Sequence, residues 1–560
     1  WSEKDKLNSL EESFMRKLRS LLLLALSAIL VVTLAACGKT ATKSNSQKQT
    51  LNLSTTAPLD TIDISKSTGY GQTGNVFESF YRLGKDGKPT AGLAKSGKVS
   101  KDGKTWTFTL RNAKWSNGDP ITAQDFVYSW RRTLKPSTKS TYAYLFSGIK
   151  NADQVNAGKL SPNKIGIKAL NNKTVQIQLE KPIAYFKVLM AYPLFGPQNQ
   201  KIVDKYGKKY GTNSKYMVYS GPFKIQNWNG TGNKWQFVKN NRYWDKQAVK
   251  LHKINYTVVS SPTTGLELYQ QNKLDLTPLS NEQVKHYKGN KEFQQYPYSF
   301  IGYLKYNFKD ANQTKRKAMS NKDIRLAISL AIDRQQLTKK VLGDGSDTPT
   351  GFVASGLAKN PKTGEDFAKE QTVPNTVDYN VKLAKQHWQK GLKALGTKKV
   401  TLTITASNDD PTSNPITQYM KSELQRDLPG FKLDIRNVPS QVANQEVLKG
   451  DFDLSLSGWG ADFNDPISFL QIPETGTAYN SGKYSNPAYD KLIKQAQNQD
   501  ANNADKRWND LVKAAKLFNA DQGMTPLYQQ VTSYLQKPDL KGVIHNTAGT
   551  QWSYKYAYMK

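Results

Sequence analysis

The chain has 560 residues, 37% of them hydrophobic, and carries 80 Lys and Arg against 45 Asp and Glu, a formal net charge of +35. That length exceeds what one hydrophobic core serves, so two or more domains are expected. A single cysteine excludes an intramolecular disulfide and a Cys-rich zinc site, and a mean hydropathy of -0.65 describes a polar body.

Residues 1–14 are polar and begin with Trp, which cannot initiate translation; an over-extended gene start is the expectation for them. Met15 to Ser20 is basic and Leu21 to Leu34 is mostly apolar, the layout of a secretory leader over residues 15–36. The apolar run falls short of the roughly 20 residues a spanning helix needs, and no second run approaches that length. It ends Leu34-Ala35-Ala36-Cys37-Gly38, which resembles the bacterial lipobox. The resemblance implies a diacylglyceryl group on the Cys37 sulfur and cleavage just before it. The following "GKTATKSNSQKQT" makes residues 37–50 a lipidated cysteine and a flexible tether.

Further along, "GYGQTG" (Gly69–Gly74) matches G-x-G-x-x-G, but no apolar strand precedes it and no acid follows about 20 residues on. A glycine-rich loop ahead of a helix, "NVFESFYRL", is expected instead. Alternation predicts half-buried strands at Thr105–Leu110, Thr174–Leu179, Val400–Thr405 and Phe431–Val438. A helix is predicted over Ser320–Leu342, with Ser320 and Asp323 in a capping-box pattern. Another runs from Asn380 to a C-cap at Gly396. "GLKALGTK" has Thr397 where a P-loop needs lysine. No internal repeat is present, and the class is mixed α/β.

Catalytic chemistry finds little support. His252, His286, His387 and His545 are far apart, no G-x-S-x-G elbow exists, and Cys37 is committed to the leader. Neither a cofactor nor a metal is expected. The lysines are scattered, without an Arg-rich arm or RNA-binding motif, so nucleic acid is not the expected partner; a solvated surface facing an anionic cell envelope is. Most of the 29 Tyr, 11 Trp and 20 Phe must be core, with a surplus suited to a ligand cleft.

Four blocks then occur in order. They are "SKDGKTWTFTLRNAKWSNGDPITAQDFVYSWRR" (Ser100–Arg132), "SGPFKIQNWNG…VKNNRYWD" (Ser220–Asp245), "NKDIRLAISLAIDR" (Asn321–Arg334) and "GDFDLSLSGWGADFNDPISFL" (Gly450–Leu470). Together they resemble the extracellular solute-binding proteins of the dipeptide/oligopeptide family, which in Gram-positive bacteria are membrane-tethered. The resemblance implies an α/β, two-lobed periplasmic-binding-protein-like clamp (type II, cluster C) with a small insert domain. Lobe one would combine residues 51–93, 219–307 and 526–560 with the insert 94–218, and lobe two would be 308–525. Trp106, Trp115, Phe126 and Trp130 would be insert core.

By the same resemblance, Gly458-Trp459-Gly460 is an exposed strand edge that pairs with a peptide main chain, its glycines allowing close approach of another backbone. Asp462 would pair with the peptide's α-amino group, and Tyr142 would face the ligand from the insert. The "STTAP" loop (Ser54–Pro58) would add backbone contacts. Gly460 and Leu456 stand where well-known oligopeptide binders carry Cys and Arg, which leaves open how a peptide carboxylate is met. The implied protein is a monomeric, lipid-anchored, non-enzymatic binder on the extracellular face of the membrane. It would pass oligopeptides to ABC permease subunits with separate ATPase subunits. Alternatives within the fold are a nickel chelate, haem or oligosaccharide as ligand, or a role as pheromone receptor or adhesin.

Overall fold

The computed structural model describes residues 49–560 other than Ala57, Asp60, Thr68 and Ala478, and the backbone alone of Asp86. The leader, Cys37 and the tether up to residue 48 lie outside the described residues. In chain order the elements that matter are β1 (Thr50–Thr55), β2 (Ala94–Val99), β3 (Thr105–Leu110), α1 (Ala123–Leu134), β4 (Ile167–Asn171) and β5 (Thr174–Gln178). Then come β6 (Phe223–Gln226), β7 (Lys234–Lys239), β8 (Lys253–Val258), β9 (Leu276–Pro278) and the long β10 (Phe293–Tyr306). The remainder holds α2 (Lys322–Leu330), α3 (Val381–Leu395), β11 (Val400–Ser407), β12 (Phe431–Val438), β13 (Leu454–Gly460) and β14 (Met524–Gln536).

Ten of these strands form one mixed sheet in the order β12-β11-β13-β10-β14-β9-β1-β8-β7-β6. At one end β11 runs parallel to β12 and β13; at the other β1 runs parallel to β8 and β9. The antiparallel pair β10 and β14 joins the two ends. Their ladder is interrupted between Pro297 and Ile301, where Tyr298, Ser299 and Phe300 stand opposite the single residue Gln530. A bulge of this kind bends the strand and re-aims its side chains. Within the segment expected as an insert, 94–218, a separate four-stranded antiparallel sheet forms in the order β2-β3-β5-β4. On its inner face Trp106 stacks on Phe108, and Phe108 stacks on Phe80, which in turn meets Phe126 and Trp130 of α1; all five are buried, as is Trp115.

The sequence pattern reads the strands well because each has one buried face. The bounds of β3 and β12 are those expected, and β11 runs two residues further. α3 ends as predicted on Gly396, with φ +66°. Two helices differ. "NVFESFYRL" is a short 3-10 turn at Thr73–Asn75 followed by extended chain, not a helix. Every residue from Asn75 to Phe80 is buried, so there is no solvated face for a helix to present. Glu78 instead accepts from Tyr243 Oη (2.6 Å) and Trp244 Nε1 (3.3 Å) and pairs with Arg82.

The second difference is the helix over Ser320–Leu342, which is broken. Ser320 closes the preceding helix; Asn321 is the true cap, its side chain accepting from Ile324 N at 3.1 Å. Asp323 binds His387 Nδ1 (2.7 Å) and Lys390 Nζ (3.1 Å) rather than closing a box. After Leu330 the chain leaves the helix and restarts at Asp333, which caps a new turn. The buried Arg334 guanidinium explains the break. It donates to the carbonyls of Pro526 (2.7 Å), Val377 (2.8 Å), Ser329 (2.9 Å) and Ile332 (3.2 Å), the last two lying at the interruption. Burial lowers its pKa to about 10, still charged at neutral pH. Arg334→Leu would strand these acceptors and is expected to cost roughly 3 kcal/mol or more, read as a lower urea midpoint at unchanged m-value.

Candidate functional site

β13 has two neighbours at its start and one at its end. Against β10 it pairs along its whole length, from Tyr306 opposite Leu454 to Phe300 opposite Gly460. Against β11 only Leu454 and Ser455 are paired. Among the described residues, the other edge from Leu456 to Gly460 has no strand beside it. The glycines of this edge have a reason beyond the one expected. A Cβ on Gly458 would overlap the Phe300 ring, and one on Gly460 would overlap the Tyr298 hydroxyl. The bulge in β10 lays these two rings across the strand, and only glycine leaves room for them.

This edge borders a cavity of about 640 Å³. Five residues expected at the ligand site line it: Tyr142, Gly458, Trp459, Gly460 and Asp462. The sequence did not single out most of the rest of the wall. Tyr70 comes from the loop after β1, Tyr144 and Tyr192 from the insert, Tyr298 and Phe300 from the β10 bulge, and Tyr479 from beyond β13. Gly69 and Gly71 of the G-x-G-x-x-G stretch also line it, so the dismissed motif belongs to this wall. Ser54 to Thr56 line an adjoining cavity of about 320 Å³ that shares Gly71 and is walled by Tyr256, Tyr534, Trp552 and Tyr554.

The rings form a near-continuous surface. Tyr70 lies 5.2 Å from Tyr142, Tyr142 6.0 Å from Tyr144, Tyr144 5.6 Å from Tyr479, and Tyr479 5.1 Å from Trp459. Trp459 is oriented by its indole N–H, which donates to Ser468 O at 2.8 Å. Asp462 supplies the one charge. Its Oδ2 accepts from Tyr144 Oη at 2.9 Å, and its backbone N–H donates to Ser468 Oγ at 2.9 Å. Among the described residues no Lys, Arg or His lines the cavity. Burial therefore dominates and pushes the Asp462 carboxyl up to about 6, against a smaller opposing effect of the Tyr144 hydrogen bond. Burial and the nearby carboxylate hold the Tyr144 and Tyr192 phenols well above their usual range, so both remain donors at neutral pH.

These groups can bind, but they are poorly equipped for group transfer. Among the described residues the wall offers phenols, an indole, the Thr141 hydroxyl, the Gln551 amide, backbone and one carboxylate, with no Ser, Cys or Lys nucleophile. A buried carboxylate without a cation is costly while it stays ionised and unpaired. Asp462→Asn should therefore raise the thermal midpoint of the unliganded protein. The sign follows from the raised pKa: the folded state binds more protons than the unfolded one between about pH 4 and 6, so wild-type stability falls as pH rises through that window. The gain from the substitution should vanish below about pH 4 in a melting series.

Comparison with known proteins places this arrangement. The family described as bacterial extracellular solute-binding proteins, family 5 (middle region), matches residues 88–481. A dipeptide-binding protein of Lactococcus lactis is 38% identical over 549 residues, covering 96% of this chain and 98% of that protein. An oligopeptide-binding protein of Bacillus subtilis is 33% identical over 560 residues, covering 96% and 99%. The solved structure of the Listeria monocytogenes protein OppA bound to peptide superposes with a TM-score of 0.76 at 40% identity, covering 92% of this chain and all of that one. Proteins of this family are non-enzymatic binding components of transporters and share a two-lobed α/β fold. A buried anionic cleft without catalytic groups is what such a component needs, and this chain belongs to the family 5 bacterial extracellular solute-binding proteins.

Proposed function

We propose that the protein captures oligopeptides outside the cell and delivers them to an ABC permease driven by separate ATPase subunits. The observation that carries this reading is the single uncompensated carboxylate, Asp462, set beside an unpartnered strand edge in a tyrosine-walled cavity. A peptide offers the complement of both: an α-ammonium for Asp462, and a main chain that adds to Leu456–Gly460 as a further strand. Backbone pairing is indifferent to side chains, and the phenol wall suits apolar and polar residues alike. Gly458, Trp459 and Gly460 are the main-chain partners in this reading, and Tyr142 faces the ligand. Closure of the two lobes around the ligand brings Tyr144 of the insert onto Asp462. The names of the Lactococcus, Bacillus and Listeria relatives support peptides over chelates, haem or sugars.

The same reading places a monomer on the outer face of a Gram-positive cell membrane, held by lipid on Cys37. Cys37→Ala is expected to abolish incorporation of labelled palmitate; a variant that still took up the label would remove the anchor from this account.

Thermal unfolding of the ligand-stripped protein with a mixed peptide pool tests the ligand class. At 100 times its dissociation constant a ligand of the folded state adds about 2.7 kcal/mol. Free peptides should raise the midpoint and the N-acetylated pool should not. Affinity should fall below about pH 6, as Asp462 protonates, and again above about pH 8, as the α-amino group loses its proton. Equal shifts from both pools would exclude amine reading by Asp462, and no shift from either would exclude those peptides as ligands.

A further inference from the structure

The positive charge of this protein is not evenly spread. Residues 94–218 hold 22 Lys and Arg against 6 Asp and Glu, net +16, whereas residues 308–525 hold 30 against 25, net +5. Nineteen of the 22 are lysines. Among the described residues, the only ion pair that draws on residues 94–218 is Arg132 with Asp63 at 2.6 Å. The six acids are absorbed in local structure instead: Asp125 receives the Thr122 N–H at a helix start, and Asp119 and Asp153 accept from side chains nearby.

The four-stranded insert sheet gives this charge a flat platform. Its inner face is closed by α1, and its outer face is polar. Register places Lys98 of β2 opposite Thr107 of β3, Thr107 opposite Gln176 of β5, and Gln176 opposite Lys168 of β4. Both lysines are exposed, and three strand spacings set their backbones roughly 14 Å apart. The neighbouring rows are Thr109 with Thr174 and Thr105 with Gln178. Hydroxyls and amides thus lie between two ammonium edges, and the face carries no acid.

From this we infer that the outer face of the insert docks a hydrated phosphodiester polymer, with the lysines neutralising its phosphates and the Thr and Gln rows meeting its hydroxyls. The chemistry of the face separates this occupant from two others. Lipid surfaces are gripped by aromatic and apolar side chains driven into the headgroups, and here Leu170 is the one large apolar side chain exposed on the face. Single-stranded nucleic acid is held by stacking platforms and favours Arg, whereas no aromatic faces outward from these strands and the segment has three Arg.

The test is binding of the full-length protein to labelled poly(glycerol phosphate) across a salt series, with neutral dextran, phosphatidylglycerol vesicles and single-stranded DNA as comparisons. Binding to the polymer should exceed the other three at about 0.1 M salt and weaken steeply as salt rises. The double variant Lys98→Gln/Lys168→Gln should lose about tenfold in affinity and about two units of salt slope, by the counterion-release relation for phosphate contacts. Lys393→Gln/Lys398→Gln, exposed in the other lobe, should stay within about twofold, and both variants should keep the wild-type melting midpoint. Equal losses in the two variants would reduce the effect to bulk charge and overturn the site. So would absence of polymer binding, or tighter binding to vesicles or DNA.

Discussion

A negative charge buried without a cation is the constraint around which this cleft is arranged. Asp462 lies where burial outweighs the help of its one side-chain hydrogen bond, so its carboxyl titrates near 6. The surrounding choices limit that cost. Its neighbours are phenols, which donate hydrogen bonds but bring no competing charge. A lysine at the same distance would stabilise the empty protein and block recognition of an incoming cation. In the proposed reading the cleft gives up stability in the free state to keep this charge available for a cationic partner.

The geometry of β13 belongs to the same arrangement. Its free edge ends at Gly460, and Asp462 follows after Ala461, whose N–H donates to Ser299 O at 2.8 Å within the β10 bulge. The carboxylate is thus fixed relative to the open edge by backbone, not by a flexible side-chain network. Glycines at 458 and 460 make room for Phe300 and Tyr298, so the sheet's own aromatics floor the edge. Substituting either glycine would disturb those rings before any ligand was involved.

Much of this could be read from the chain, and the limits have identifiable causes. Strands such as β3 and β12 were legible because one buried face imposes a period of two. Asp462 and the Trp459 edge were legible through their resemblance to a known block. Tyr70, Tyr192, Tyr298 and Tyr479 were not, since each comes from a different segment and a lone tyrosine carries no local signal. The two misread helices fail for a related reason. Their fate is decided by partners distant in sequence: Tyr243 and Trp244 for Glu78, and Pro526 for Arg334. Local propensity cannot register an interaction with a residue more than 150 positions away.

The interruption of the β10–β14 ladder has a mechanical consequence. These two strands join the parallel-strand ends of the sheet, so any change of angle between those ends must be absorbed along them. At Tyr298–Phe300 the ladder is already open: three residues face one, and Ser299 is held from outside the pair, its N–H bonded to Thr547 O at 2.8 Å and its carbonyl to Ala461 N. A bend there trades two hydrogen bonds, each worth about 1 kcal/mol net, rather than unzipping a run of sheet. The residues at that flexure are also the ones whose rings floor the cavity. A group that filled the cavity would therefore touch the interruption itself, with no intermediate layer between them.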